Sequence, residues 1–139
     1  MKKALICLSF IVSIIGCKKD DPVDPNLPVT LANIAGNYKM TDVTIASTSS
    51  SVYSTFVPAC ERDDTYAFAA SGAVIRTDAG AVCSPNTSAS GTFSLTGSTI
   101  TFLGNTYTVE SLTNTNFVVS NNIMFGGATY KALITFTRQ

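Results

Sequence analysis

One four-residue run, Glu61-Arg62-Asp63-Asp64, gathers three carboxylates and is the first place to look for chemistry. Grouped carboxylates hold divalent cations or share a proton in acid–base work. Calcium asks for six to eight oxygens. Successive side chains on a strand point to opposite faces, so three near neighbours cannot all turn to one ion. A solvated strand start is the simpler reading. An acid–base pair would need Asp78 or Glu110 brought beside Asp63 or Asp64, and nothing in the spacing demands that. The chain has no histidine. That removes Ser-His and Cys-His nucleophiles and any histidine-ligated metal. The glycines fall at turn positions and not in phosphate-cradling loops. No catalytic residue, metal ligand or cofactor is therefore expected, and the chain reads as a non-enzyme.

The four cysteines carry more information. Lys2 and Lys3 precede an apolar run of twelve residues, Ala4 to Ile15, which ends at Gly16-Cys17 and gives way to Lys18-Lys19-Asp20-Asp21. A membrane-spanning helix needs about 20 apolar residues, so this run is too short. A basic start, a short apolar stretch and a small residue before a cut describe a secretory leader. Ile14-Ile15-Gly16-Cys17 resembles the lipobox of bacterial lipoproteins. The resemblance implies that the Cys17 thiol is acylated, palmitate included, and becomes the mature N-terminus. It also implies a bacterial envelope protein held on the outer membrane. Each buried CH₂ adds about 0.8 kcal/mol, so two or three acyl chains give a lasting anchor. The lysine and aspartate pairs after Cys17 fit two readings. They resemble a surface-export signal of Gram-negative lipoproteins, and they also suit a plain solvated tether on the periplasmic side.

Cys7 leaves with the leader, so Cys60 and Cys83 remain as an even pair in an oxidising compartment. A disulfide is expected. The alternative, two reduced thiols, lacks the Cys-x-x-Cys spacing that lowers a thiol pKa.

The chain has nine basic and nine acidic residues. Two lysines fall in the leader, leaving the mature part slightly acidic and without a basic patch. Nucleic acid is thus excluded as a partner. Residues 1–16 are the leader, 17–30 the acylated cysteine and a tether, and 31–139 one domain. Pro22, Pro25 and Pro28 recur at every third position, which favours an extended spacer of roughly 30 Å.

After a single helical turn capped by Thr30, the pattern switches to period two. Eight strands are expected near 37–46, 64–70, 73–78, 91–95, 98–103, 106–112, 116–125 and 128–137. Turns at Thr96-Gly97 and Gly104-Asn105 put Phe93, Leu95, Ile100, Phe102, Tyr107 and Val109 on one face. A one-residue slip would reverse the faces. A turn at Ser71-Gly72 sets Phe68 opposite Ile75 and Tyr66 opposite Thr77, and carried outward the same register sets Cys60 opposite Cys83. On the last strand Tyr130, Ala132, Ile134 and Phe136 share a face.

The segments Gly36-Asn37-Tyr38, Cys60 to Val74, Cys83 to Phe102 and Thr106 to Thr113 resemble the lipocalin-like domain of small bacterial lipoproteins. The resemblance runs from about Leu31 to Arg138. It implies an all-β fold, an eight-stranded antiparallel up-and-down barrel with a small-molecule cavity. One departure is the missing tryptophan of the Gly-x-Trp opening; Tyr38 stands there and can plug the closed end.

Two function classes follow. In the first, Tyr38, Tyr66, Phe68, Ile75, Phe93, Ile100, Phe102, Tyr107, Val109 and Phe136 line a lumen that takes a small apolar or amphipathic ligand. The long loop 47–59, with Val52, Tyr53, Phe56 and Val57, either lids that lumen or caps its core. In the second, the same side chains fill the barrel. The Ser/Thr-rich outer face, with Arg76 and Lys131, then meets a protein or glycan partner that the sequence does not identify.

Overall fold

The computed structural model describes residues 25–139. Cys17 and the leader lie outside the described residues. One short helix, α1 (Leu31–Ile34), precedes nine strands: β1 (Gly36–Ile45), β2 (Ser50–Ser51), β3 (Thr65–Phe68), β4 (Ala73–Thr77), β5 (Ala89–Thr96), β6 (Thr99–Phe102), β7 (Asn105–Leu112), β8 (Asn116–Phe125) and β9 (Ala128–Arg138). Between β2 and β3 sit a second helical turn, α2 (Tyr53–Phe56), and a 3₁₀ turn at Ala59–Glu61. All pairings are antiparallel, and β1 also pairs with β9, so the eight long strands close a ring. The two-residue β2 lies on β1 beside Thr44 and Ile45.

Chain chemistry explains the closed end. Thr30 Oγ1 accepts from the Asn33 N–H at 3.2 Å and caps α1. Such a cap satisfies one of the otherwise orphaned donors of the first turn. The helix presses Ile34 into the barrel floor, where Tyr38 is fully buried and donates to the Ile34 carbonyl at 2.9 Å. Arg138 lies over the Tyr38 ring, 4.9 Å from its centroid, and donates to the Ala35 and Asn33 carbonyls. Gly36 is required here, because a Cβ would run into the Arg138 guanidinium. The packed unit begins upstream of α1: the Leu27 N–H donates to the Leu112 carbonyl at 2.6 Å, and Leu27 and Val29 pack on the core.

Above this floor the lumen is filled. Phe68 meets Phe93 and Phe102 edge-on at 5.2 Å, and Phe117 at 6.0 Å. Ile100, Val74, Val109, Leu112 and Val119 complete the cluster. Edge-to-face rings add stabilisation beyond their buried area.

The expected faces hold, but the registers shift. The β5–β6 turn falls at Gly97-Ser98, pairing Phe93 with Phe102, and the β6–β7 turn falls at Leu103-Gly104, pairing Ile100 with Tyr107. Each is two residues from the expected pairing, which leaves the facing unchanged. Leu103 takes φ 46° and Gly104 φ 80°. A two-residue type I′ turn needs positive φ at both positions, and leucine seldom supplies it. That is why the turn was expected one residue later.

The β3–β4 hairpin is off by one. Phe68 pairs with Val74 and Tyr66 with Arg76. A slip of one exchanges the faces, so Ile75 is not in the lumen but outside it, 51% exposed, while Val74 is fully buried. The same slip moves Arg76 from the outer face to the inner one.

Candidate ligand-binding site

The barrel has a second, open end, where β1, β8 and β9 run on past their neighbours. The β8–β9 hairpin pairs without a break to Phe125↔Ala128. In contrast, β7 pairs with β8 only up to Thr108↔Ser120. Tyr107 and Asn121 are therefore left facing each other without ladder bonds. The loop after β1 folds back over this end. Val57 packs with Val43 and Ala132, flanked by Tyr53, Ile123 and Ile134. Tyr53 donates to the Met40 carbonyl at 2.8 Å, and Arg62 donates to the Val57 and Ser54 carbonyls, both at 3.0 Å. This segment is a pinned cap over a satellite core.

Beneath the cap is a cavity of about 250 Å³, walled by Met40, Val43, Val57, Ile123 and Ile134 and by the polar ends of Glu61, Tyr66, Arg76, Tyr107 and Asn121. A neighbouring cleft of about 190 Å³ shares Met40, Tyr66, Arg76 and Tyr107 and runs between Ala89 and Leu103 toward Phe102 and Phe136. That gap exists because β5 changes partners. Ala89 to Thr92 pair with β4, and only Phe93 to Thr96 pair with β6. On the outside, Tyr107 and Asn121 also border an open polar groove with Glu110, Ser120 and Lys131.

The floor of the cavity is an ionic knot. Arg76 Nε donates to Asp64 Oδ2 at 2.7 Å, and its Nη2 donates to Glu61 Oε2 at 2.6 Å. Asp64 is fully buried and also accepts from the Ala79 N–H and the Thr87 hydroxyl. Buried charges persist only when paired and hydrogen-bonded in this way. Burial acts most strongly on the Arg76 pKa and lowers it, but the hydrogen bond to Asp64, the Tyr66 phenol and the pairing with Glu61 together keep it above the ordinary guanidinium value.

Two further aspartates fold the loop 78–88 around this knot. Asp78 accepts the Thr87 and Cys83 N–H groups at 2.8 and 3.1 Å. The Thr87 N–H, then the Cys83 N–H, hold the Asp78 carboxyl below the usual carboxylate range against the effect of burial. Asp63 accepts the Ala81 N–H at 2.8 Å, with Gly80 packed so closely that a Cβ there would strike the carboxylate. Cys60 and Cys83 are joined in a disulfide, Cα to Cα 5.2 Å, tying the cap to this loop. The bond lies between a 3₁₀ turn and a loop rather than across paired strands. The carboxylates of the 61–64 run are thus structural acceptors, and the expectation of a solvated strand start does not hold.

The phenols above the knot are different. Burial pushes the Tyr66 hydroxyl up to about 12, with Arg76 pulling the other way. Burial likewise raises Tyr107, again offset in part by Arg76. Neither hydroxyl makes a hydrogen bond among the described residues, and Asn121 Oδ1 is buried without a partner.

A family model described as a lipocalin-like domain matches residues 34–119, more than half of the chain. The chain belongs to the lipocalin-like domain family. No curated protein and no solved structure gives a significant match. The matched stretch runs from the end of α1 into β8, so the closing strand of this lipocalin-like barrel, β9, is supplied by the coordinates alone.

The barrel divides the ten lumen residues expected from sequence into three groups. Tyr66, Phe102, Tyr107 and Phe136 border the cavity or its side cleft. Tyr38, Phe68, Phe93, Ile100 and Val109 lie in the packed half, away from it. Ile75 is outside. Met40, Asn121, Ile123 and Ile134 are not among the expected lumen residues, and Arg76 is expected on the outer face. Ile134 stood on the correct face of its strand, and Arg76 was hidden by the hairpin slip. Asn121 gave no signal, since a polar residue in a strand reads as outward-facing.

Proposed function

We propose that this lipocalin-like domain is an envelope lipoprotein that binds one small amphipathic molecule at the open end of its barrel, and that it does so without catalysis. The cavity under the cap carries the reading. Its walls are in part apolar, and two phenols and an amide, each with a polar atom lacking a partner, border it. Sites for small molecules combine those features, apolar lining with a few polar groups to orient a guest. Uptake of the neutral dye N-phenylnaphthylamine, read as a rise in its fluorescence, is expected for the native chain. Ile123→Trp, which fills the cavity, is expected to abolish it. Uptake unaffected by that change would refute the cavity as the site.

Membrane attachment rests on Lys2, Lys3, the apolar run to Ile15 and the Gly16-Cys17 junction, all outside the described residues. Labelled palmitate is expected to enter the native chain and not Cys17→Ser, and the variant is expected to leave the membrane fraction. Protease treatment of intact cells separates a surface location from a periplasmic one.

A second reading, a partner-binding module, is favoured by one observation. Met124 and Phe125 at the β8–β9 tip are 74% and 46% exposed, and the Phe125 ring lies 5.6 Å from Phe56. Loss of a co-purifying envelope protein in Met124→Ser/Phe125→Ser, with dye uptake intact, would support it.

A further inference from the structure

The polar groups at the cavity are of two kinds, and the difference names the guest. The ions are already paired to one another. Arg76 spends Nε and Nη2 on Asp64 and Glu61, at 2.6–2.7 Å. Asp64 has no exposure and is further saturated by Ala79 and Thr87. The uncharged groups are unspent. Tyr66 is more than nine-tenths buried, yet its hydroxyl has no hydrogen-bond partner among the described residues. The hydroxyl of the half-buried Tyr107 has none either, and Asn121 Oδ1 is buried and unpaired.

We infer that the polar end of the guest is an uncharged hydroxyl group on a short alkyl chain, and that the mouth discriminates against carboxylates. This deepens the reading of the cavity as the guest site and rests on it. A carboxylate brought to Arg76 meets a guanidinium already flanked by two carboxylates, a group of net negative charge. A carboxylate would lose its water to a site that repels it, which is strongly unfavourable. A hydroxyl has one donor and two acceptor positions. It can donate to Asn121 Oδ1 while accepting from a tyrosine hydroxyl. Burial keeps the Tyr66 phenol protonated, and so a donor, throughout the neutral range. Met40, Ile123 and Ile134 supply the wall for the alkyl part. At about 250 Å³ the cavity lies below the range of sites for drug-sized ligands, which keeps that part short.

The test uses the full-length chain as Cys17→Ser, so that no acyl group competes, and displaces bound N-phenylnaphthylamine with octanol or octanoate. Octanol is expected to displace the dye at concentrations about tenfold or more below those needed for octanoate, a gap of at least about 1.4 kcal/mol. Tyr66→Phe and Asn121→Leu are expected to weaken octanol severalfold relative to the dye and to narrow the gap. Octanoate binding as tightly as octanol would overturn the hydroxyl assignment and leave the cavity as guest site standing. Failure of the dye to bind at all, with octanol causing no change in tyrosine fluorescence, would remove the guest site and this inference together.

Discussion

Asp64→Asn leaves the size of the side chain almost unchanged and removes the charge that Arg76 Nε and Nη2 approach. Breaking a buried ion pair by removing one partner costs about 3–5 kcal/mol. The lower end applies here, because Arg76 retains Glu61 and its side chain is 18% exposed. Urea unfolding should show that loss. Lys131→Ala breaks the pair with Glu110 at 2.7 Å, where the lysine is 50% exposed, and should cost no more than about 1 kcal/mol. Equal effects would mean that the burial of Asp64 contributes nothing. Tyrosine absorbance gives a second residue-level check. Tyr66 should titrate near pH 12, whereas an unperturbed phenol titrates near ~10. The unfolded chain releases that proton first, so the contribution of Tyr66 is whole below about pH 10 and is lost as pH rises toward 12. The roles of Asp64 and Arg76 were hidden in the sequence. Clustered carboxylates read as solvated unless their cation is placed, and Arg76 is placed only once the hairpin register is known.

The hairpins show how much a strand pattern can decide. Alternation fixed which residues of β5, β6 and β7 face inward, and shifts of two residues left those faces unchanged. The β3–β4 slip was not so protected, because alternation there is ambiguous. Val74 and Ile75 are both apolar, and either can face the core. Val74→Ala should cost roughly 2 kcal/mol as a core truncation, whereas Ile75→Thr should stay within about 0.5 kcal/mol as a surface change. The reverse order would contradict the register Tyr66↔Arg76. The disulfide was legible as a pair although its expected strand-to-strand geometry was not. It closes a separation of 23 residues, so Cys60→Ser/Cys83→Ser should lose about 3 kcal/mol in the chain-entropy account. The cap, tied through that bond to the loop 78–88, should then become the first segment to open to proteolysis.

At the scale of the molecule the barrel is two halves of unequal firmness. The lower half holds the ring cluster around Phe68 and Phe117 and an unbroken ring of strands. The upper half holds the cavity, the partner change of β5 and the unpaired flank of β8 beyond Ser120. Acid should strain the whole, since Asp78 and Glu110 both have lowered pKa values in the fold, Glu110 through Lys131 and then Ser120. The unfolded chain binds more protons in the carboxylate range, so stability is full above that range and falls as pH drops through the folded values. Urea midpoints at falling pH should show this, and Asp78→Asn should flatten part of the slope. Local opening distinguishes the halves more sharply, because sparse apolar contact and unpaired backbone lower the cost of opening. Amide exchange should be slowest at 66–68, 100–102, 117–120 and 134–138, and faster at 53–57 and 121–131. A guest in the cavity binds the closed arrangement alone, and stabilises it by mass action. Octanol should therefore slow exchange at 53–57 and 121–123 while leaving the ring cluster as it was. Slowing spread evenly over the barrel would place the guest elsewhere.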